Sequence, residues 1–409
     1  MSAITSRFSS TLALIMVFFV ALSVVGCAAL TPRNALPQAA AAQVEPDGFH
    51  DIRYWGDEAS PDIASFRPTR RGLAAESRGP SARGLNFLAI SGGAEDGAFG
   101  AGLLAGWGDA GNRPVFDLVT GVSSGALVAP FVFLGPERDS QLQEIFTSYG
   151  RKDIYVYDVQ NLIEGSALVD DAPLSKLIAK YVDRDFLRDI AQESRKGRVL
   201  LIGTTDLDAQ RPVLWDMGRI AENDSLAALA LFRKVLLASA TLPGVFAPVR
   251  IKVRVGGKDY DELHVDGGVT RQVFIAPSIM RLVSNHASRR TVNGARLYVV
   301  QNGRIDPRWE AVNDDVLSVT QRSLSTLIKN QGIGDLYRIY SIAKLDGIDF
   351  NLASIPPDFD TRANAPFDLK YMQALFARGY DMGKGGFPWV KNPPGLQTTG
   401  QFASARRPF

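Results

Sequence analysis

From Leu85 onward, short apolar runs alternate with glycine-rich or polar turns and with stretches of helical spacing. The runs that predict strands are Leu85 to Ile90, Phe116 to Thr120, Arg198 to Thr204, Val249 to Val255 and Ala295 to Gln301. Helical spacing occurs at Ser175 to Tyr181, Ser225 to Ala238 and Pro277 to Val283. This alternation is typical of strands joined by crossover helices. The sequence therefore predicts an α/β fold with three layers, in which helices cover both faces of a mostly parallel central sheet.

The composition is that of an ordinary globular chain, with 46% hydrophobic and 22% charged residues in 409. Lys and Arg number 45 against 43 Asp and Glu, so no basic surface predicts a nucleic-acid partner. The chain has one cysteine and three histidines. This count excludes an intrachain disulfide and a cysteine-built zinc site, and it disfavours a histidine-built metal site. We expect no metal and no organic cofactor.

The N-terminus has the pattern of an export signal. An apolar run of 14 residues, Leu12 to Val25, precedes Gly26 and Cys27. Val24-Val25-Gly26-Cys27 resembles the lipobox of bacterial lipoproteins, whose cysteine is lipidated and becomes the mature N-terminus. The alternatives are an uncleaved anchor or cleavage near Ala28. The lipoprotein interpretation predicts a lipid-anchored protein of the bacterial envelope, and Ala28 favours the outer membrane, facing the periplasm.

Shifts in composition divide the chain into segments. We expect a signal peptide at 1–26, a lipidated cysteine with an Ala/Pro-rich tether at 27–48, an N-terminal arm at 49–83, the α/β domain at 84–303, a helical extension at 304–395 and a loose tail at 396–409. Within the extension, Asp315 to Lys344 predicts one or two amphipathic helices. These helices and the stretch from Phe367 to Trp389 could cover a cleft, bind a partner or pack into the core.

A G-x-S-x-G motif lies between a predicted strand and a predicted helix. Gly121-Val122-Ser123-Ser124-Gly125 follows the apolar run that ends at Thr120 and precedes a helical stretch. In this context the motif predicts a nucleophile elbow, in which a tight turn holds Ser123 at a helix N-terminus. The alternative is a small-residue turn with a serine N-cap.

A glycine-rich run, Ser91 to Gly102, follows the first predicted strand. Its backbone N–H groups could hold an oxyanion, or its glycines could serve close helix packing. No Gly-Lys-Ser/Thr closes the run, which excludes a Walker A loop. Gly100, Gly102 and Ala105 match a dinucleotide-binding motif only weakly, because they lie ten residues past the strand.

A serine nucleophile needs a base, and the order of residues disfavours a histidine. In α/β-hydrolases the histidine comes last, whereas 123 residues follow His286 here. The best carboxylate candidate is Asp266 in Asp266-Gly267-Gly268, although this sequence is also typical of a plain turn. His264 could neighbour Asp266, but a structural role fits it better.

The glycine-rich loop, the Ser123 motif and Asp266-Gly267-Gly268, in this order, resemble the patatin-like phospholipase family. The segments Asp206 to Asp216 and Ala238 to Pro248 also resemble family segments. The resemblance covers residues 84–303 and implies a Ser-Asp dyad. Ser123 would attack an ester carbonyl and Asp266 would accept its proton, while the amides of Gly92, Gly93 and Ala94 would form the oxyanion hole.

One departure from the family pattern concerns the charge of the loop. The third glycine of the family is Ala94 here, and its basic residue is Asp96, preceded by Glu95. Two acids beside a cleft would repel an anionic head group, which counts against phospholipid preference. We expect a serine acyl hydrolase that acts on lipid esters at the membrane. The alternatives are a lipid transacylase and an inactive envelope scaffold, and the sequence identifies no protein partner.

Overall fold

The computed structural model describes residues 33–41, 44–58, 84–157, 169–276 and 294–396. The predicted signal peptide, Cys27, most of the tether and arm, the predicted helix from Pro277 to Val283 and residues 397–409 lie outside the described residues. The predictions for these segments therefore stay predictions.

The strands of the described residues form one large sheet and one small ribbon. The sheet contains β1 (Arg53–Trp55), β2 (Asn86–Ile90), β3 (Leu118–Val122), β6 (Val199–Asp206), β7 (Arg211–Asp216), β8 (Val249–Val255), β9 (Lys258–Asp266), β10 (Arg296–Gln301) and β11 (Asp349–Ser354). The ribbon pairs β4 (Val156–Tyr157) with β5 (Val169–Asp170).

The helices are numbered in chain order. They are α1 (Gly97–Asp109), α2 (Ser124–Leu134), α3 (Asp139–Ser148), α4 (Arg151–Ile154), α5 (Ala172–Tyr181), α6 (Arg184–Arg195), α7 (Met217–Glu222), α8 (Leu226–Ser239), α9 (Val316–Leu345) and α10 (Leu369–Lys384). No helix of the described residues is both long enough and apolar enough to cross a membrane.

The centre of the sheet is parallel, as the sequence predicts. Strands β6, β3, β2, β10 and β11 are neighbours in this order and all four pairings are parallel. Strands β7, β1, β9 and β8 extend the sheet beyond β6 with antiparallel pairings. The predicted α/β class with a mostly parallel central sheet is confirmed.

Two details of the sheet differ from expectation. The run Val249 to Val255 is a strand, but it forms an antiparallel hairpin with β9 instead of joining the parallel set. Residues 304–395, where we expected helices, also contribute β11, which pairs in parallel with β10 at the sheet edge. The apolar run of β11 is short and follows a long helix, so helical periodicity dominates this part of the sequence.

The buried strands supply apolar side chains to both faces. In β2, Leu88 and Ile90 face one core, whereas Phe87 and Ala89 face the other. Helices α1, α2, α3, α8 and α10 contribute to the first core, and the C-terminal half of α9 covers the second. Strands buried on both faces are typical of a parallel sheet between helical layers.

Helices α1 and α10 approach each other through glycines. A Cβ at Gly102 would lie 2.1 Å from the carbonyl oxygen of Phe376, and a Cβ at Gly383 would lie 2.1 Å from that of Leu103. Only glycine permits two helix backbones to come this close. The second half of the glycine-rich run therefore serves helix packing, and only its first half lies near the serine.

Candidate active site

The register of the sheet brings Ser123 and Asp266 together. Val122, the last residue of β3, pairs with Gly203 of β6, and the next residue of β6, Thr204, pairs with Asp266 of β9. Strands β3 and β9 therefore meet end to end along the same side of β6. The Ser123 hydroxyl forms a hydrogen bond with the Asp266 carboxylate.

The turn around Ser123 has the geometry of a nucleophile elbow. Ser123 has a φ of 55°, in the region that favours glycine. A Cβ at Gly121 would lie 2.5 Å from the Gly125 carbonyl oxygen, and one at Gly125 would lie 2.5 Å from that of Ile90. Both predicted elbow glycines are thus required sterically, and strain is concentrated at the serine.

Ser239, a residue that the sequence analysis did not single out, supports the elbow. Its hydroxyl accepts a hydrogen bond from the Ser123 amide at 3.0 Å and donates one to the Gly203 carbonyl at 2.7 Å. Ser239 is fully buried at the end of α8. Its signal was the family-like segment Ala238 to Pro248, which did not by itself indicate a contact with the elbow.

Asp266 is a buried carboxylate with two hydrogen bonds. Its side chain is 5% exposed and accepts a bond of 2.7 Å from the Gly268 amide as well as the bond to Ser123. Burial raises the pKa of Asp266 to about 6, against the lowering effect of both hydrogen bonds. The Asp-Gly-Gly sequence forms the expected turn, since a Cβ at Gly267 would lie 2.5 Å from the Gly203 carbonyl oxygen.

The structure separates the three predicted oxyanion donors. The Gly92 amide donates to the Gln272 carbonyl at 3.0 Å, so its N–H is already used. Within the described ranges, no acceptor takes a hydrogen bond from the amide of Gly93 or Ala94. Gly92 contributes sterically instead, because a Cβ there would lie 3.0 Å from the Ser123 Cβ. Two of the three amides are therefore free for a ligand.

Asn302 fixes the glycine-rich loop from the adjacent strand end. Its side chain donates to the Ser91 carbonyl at 2.8 Å and accepts from the Gly100 amide at 3.0 Å. A Cβ at Gly93 would lie 2.1 Å from the Asn302 carbonyl oxygen. Ala94 has a φ of 49°, which explains why a glycine at this position suits the loop.

Gln272 connects the loop to the turn after Asp266. Its main-chain carbonyl holds the Gly92 amide, and its side-chain amide donates to the Gly268 carbonyl at 2.8 Å. The Gln272 amide in turn donates to the carboxylate of Asp335 on α9 at 2.8 Å. Neither Gln272 nor Asp335 belongs to a sequence motif, and the contacts span 180 and 63 residues.

The two acids of the loop are less ionised than exposed acids. Burial raises the pKa of Asp96 to about 7, and the Tyr371 hydroxyl donates a hydrogen bond to this carboxylate. Burial also raises the pKa of Glu95. The expected repulsion of an anionic head group is correspondingly weaker near neutral pH.

A cavity of about 1270 Å³ opens above Ser123 and Asp266. Its walls are mostly apolar, and Glu95, Asp96, Arg304, Arg308, Arg322 and Lys329 also line it. Apolar lining residues come from the helices around α2 to α5 and from α9; they include Leu127, Phe146, Leu174, Phe246, Leu324 and Leu327. A cavity of this size and lining fits a ligand with a long hydrocarbon part.

His264 points away from the serine and into a buried polar network. Its Nδ1 lies 3.0 Å from the Thr204 hydroxyl and its Nε2 lies 3.3 Å from the Glu262 carboxylate. Asp206, Glu262 and His264 place possible ligand atoms within 4.8 Å of one another. However, Arg53 already pairs with Glu262 at 2.5 Å, so a protein cation balances this cluster. The structural role of His264 fits these contacts.

Residues 88–278 match the family described as Patatin-like phospholipase. Through these residues the chain belongs to the patatin-like phospholipase family, and at the level of the family this supports lipid acyl hydrolysis. The matched range contains Ser123, Asp266 and the glycine-rich loop.

Two solved structures illustrate the likeness in fold. VipD from Legionella pneumophila overlaps with a TM-score of 0.32 and 10% identity, over 74% of this chain and 67% of that chain. Human GIVD cytosolic phospholipase A2 overlaps with a TM-score of 0.33 and 8% identity, over 82% of this chain and 67% of that chain. No curated protein matches the sequence significantly.

Proposed function

We propose that this protein is a serine acyl hydrolase of lipid esters. The observation that carries the proposal is the hydrogen bond between the Ser123 hydroxyl and the buried Asp266 carboxylate at the base of the apolar cavity. A hydroxyl held by a carboxylate is a nucleophile with its base in place. The size and apolar lining of the cavity support a lipid substrate over a small polar ester.

The proposed reaction has two halves. In the first, Ser123 Oγ bonds to the ester carbonyl carbon while its proton passes to Asp266. The N–H groups of Gly93 and Ala94 stabilise the oxyanion, and the carbon–oxygen bond of the leaving alcohol breaks as that alcohol takes the proton. In the second, water attacks the acyl-enzyme, gives a proton to Asp266 and releases the fatty acid, and the proton returns to Ser123.

The raised pKa of Asp266 supports its role as a base. An aspartate at its usual pKa near 3.9 is a weak base at neutral pH, whereas a pKa of about 6 brings it closer to the working range. The free amides of the loop would supply the larger part of the rate, because they stabilise charge that develops only in the transition state.

The test is acyl release from a panel of p-nitrophenyl esters, neutral glycerides and phospholipids. We expect turnover by the wild type and its loss in Ser123→Ala and Asp266→Asn. The matched control is Ser124→Ala, because the Ser124 hydroxyl is buried without a hydrogen-bond partner among the described residues. Turnover retained in Ser123→Ala would refute the assignment of the nucleophile.

We also propose that Cys27 carries a lipid anchor and holds the protein at the bacterial envelope. The support is the lipobox-like sequence around the single cysteine of the chain. Metabolic labelling with a radioactive fatty acid should mark the wild type and not Cys27→Ser. Equal labelling of both would contradict the proposal.

A further inference from the structure

An apolar surface lies on the segment that follows β10, outside the range matched by the family. We call it the docking face. Its exposed side chains are Trp309, Val312, Val316, Val319, Leu324 and Leu327. Trp309 and Val316 are both 85% exposed, and Leu327 is 68% exposed. Scattered apolar side chains are ordinary on a surface, but a contiguous group of this kind marks an interaction site.

The docking face follows the geometry of a helix. At about 100° per residue, Val316, Val319, Leu324 and Leu327 fall within an arc of about 140° on α9. The buried contacts of the same helix begin later, at Gly332 and Leu336. The first half of α9 thus presents an apolar stripe to its surroundings, while the second half packs on the sheet.

The charges around this surface are balanced. Residues 316–334 contain Arg322 and Lys329 but no Asp or Glu. Over the wider segment 308–329, three basic residues (Arg308, Arg322, Lys329) equal three acidic ones (Glu310, Asp314, Asp315). A partner bound here would be held by apolar contact and not by net charge.

The docking face is continuous with the wall of the cavity above Ser123. Leu324 and Leu327 belong to both, and the neighbouring Ile328 also lines the cavity. A hydrocarbon chain that leaves a lipid layer at this surface would reach the cavity along apolar side chains. A surface of this kind fits a lipid layer, in which an amphipathic helix lies with its apolar stripe among the acyl chains and an indole sits at the boundary.

We propose that the docking face binds a lipid surface and presents the open cavity to it. The purpose of this docking rests on the proposed function, but the binding itself requires no catalysis. The balanced charge implies binding to zwitterionic lipid and insensitivity to salt, in contrast to a polybasic segment.

The first experiment measures the environment of the docking face in the full chain. Cys27→Ser removes the only cysteine, so that Val316→Cys can carry a single polarity-sensitive fluorophore. The matched control is Leu226→Cys in the same background, since Leu226 is also an exposed leucine near a helix start, at 70% exposure, but does not line the cavity.

With phosphatidylcholine vesicles we expect a blue shift at position 316, quenching by brominated lipid, no change at position 226 and the same result at low and high salt. Equal responses at both positions, or none at 316, would overturn the proposal. A shift at 316 that follows protein concentration without vesicles would also overturn it, because it would identify a second copy of the chain as the occupant.

The second experiment separates docking from chemistry. Val316 and Val319 do not line the cavity. The double variant Val316→Ser with Val319→Ser should lower hydrolysis of vesicle substrate by about tenfold and leave turnover of a soluble short-chain ester unchanged. Equal loss on both substrates would count against docking.

The labelled Ser123→Ala variant should bind vesicles as the parent does. Binding without turnover of any ester by the parent would refute the proposed function and leave docking intact. Turnover without a response at position 316 would do the reverse.

Discussion

The carboxylate of Asp335 on α9 accepts a hydrogen bond from the main-chain amide of Gln272, at 2.8 Å. Gln272 in turn holds the Gly92 amide with its carbonyl and the Gly268 carbonyl with its side chain. A residue on the far helical layer thus fixes the position of both loops that flank Ser123.

Asp335→Ala should therefore lower both stability and turnover. The Gln272 amide would lose its acceptor in a buried position, which costs about 1–3 kcal/mol of unfolding free energy. Asp335→Asn keeps an acceptor and should restore most of the turnover. Urea unfolding and ester hydrolysis measure the two effects. If alanine and asparagine lowered turnover equally, the hydrogen bond would have no positioning role.

The pH dependence of activity should follow Asp266. The carboxylate is the proposed base and its pKa is about 6, so kcat/KM should rise as the pH rises through about 6 and then level off. Initial rates on a soluble ester give the profile. A profile that is flat from pH 5 to about pH 8 would contradict the role of Asp266.

Asp266→Asn should be inactive but more stable than the wild type at high pH. The pKa of Asp266 is raised from 3.8 to about 6 by folding. The folded state therefore holds this proton more tightly than the unfolded state, and stability falls as the pH rises between these values. Above pH 6 the cost is fully present, at about 3 kcal/mol.

Thermal unfolding of wild type and Asp266→Asn across this pH range tests the linkage. The difference in stability should be small near pH 4 and largest above pH 6. A difference that is independent of pH would show that the amide acts through packing instead.

Ala94→Gly should stabilise the protein. Ala94 has a φ of 49°, a conformation that costs a residue with a Cβ about 1–2 kcal/mol. The greater freedom of glycine in the unfolded chain offsets part of this gain, so we expect a net gain of about 0.5–1 kcal/mol. Ala98→Gly, inside α1, is the control and should destabilise. Chemical unfolding of both variants makes the comparison.

Gly102→Ala and Gly334→Ala should act in opposite directions. A Cβ at Gly102 would meet the Phe376 carbonyl at 2.1 Å, so the variant should lose about 1–3 kcal/mol or fail to fold. A Cβ at Gly334 meets nothing within 4 Å, so the variant should gain up to about 1 kcal/mol from helix propensity. Loss of stability at both positions would refute the steric explanation.

The elbow and the turn at Asp266 could be predicted from the sequence because their geometry is local. Gly121, Gly125 and Gly267 each avoid a backbone collision that a few neighbouring residues create, and such requirements leave a short motif. The central strands were also predictable, because strands buried on both faces are continuous apolar runs.

The remaining features depend on residues that are distant in the chain. That the Gly92 amide is consumed by Gln272 follows from a contact across 180 residues, which no spacing rule anticipates. Strand β9 was missed because it carries five charged residues, Lys258, Asp259, Asp261, Glu262 and Asp266. The spacing of α9 predicted an amphipathic helix, but only the packed sheet determines which half of it stays uncovered.

The contact between α1 and α10 has a consequence for how such chains can evolve. Helix α1 begins three residues after Ala94, and α10 lies beyond the family-matched range at Leu369–Lys384. Because Gly102 and Gly383 each meet the opposite backbone, neither helix tolerates a partner that lacks a matching groove. A recombination event that replaced the C-terminal segment would separate two surfaces that fit only each other. The two segments must therefore be inherited together, although only one of them contains the serine motif's neighbouring loop.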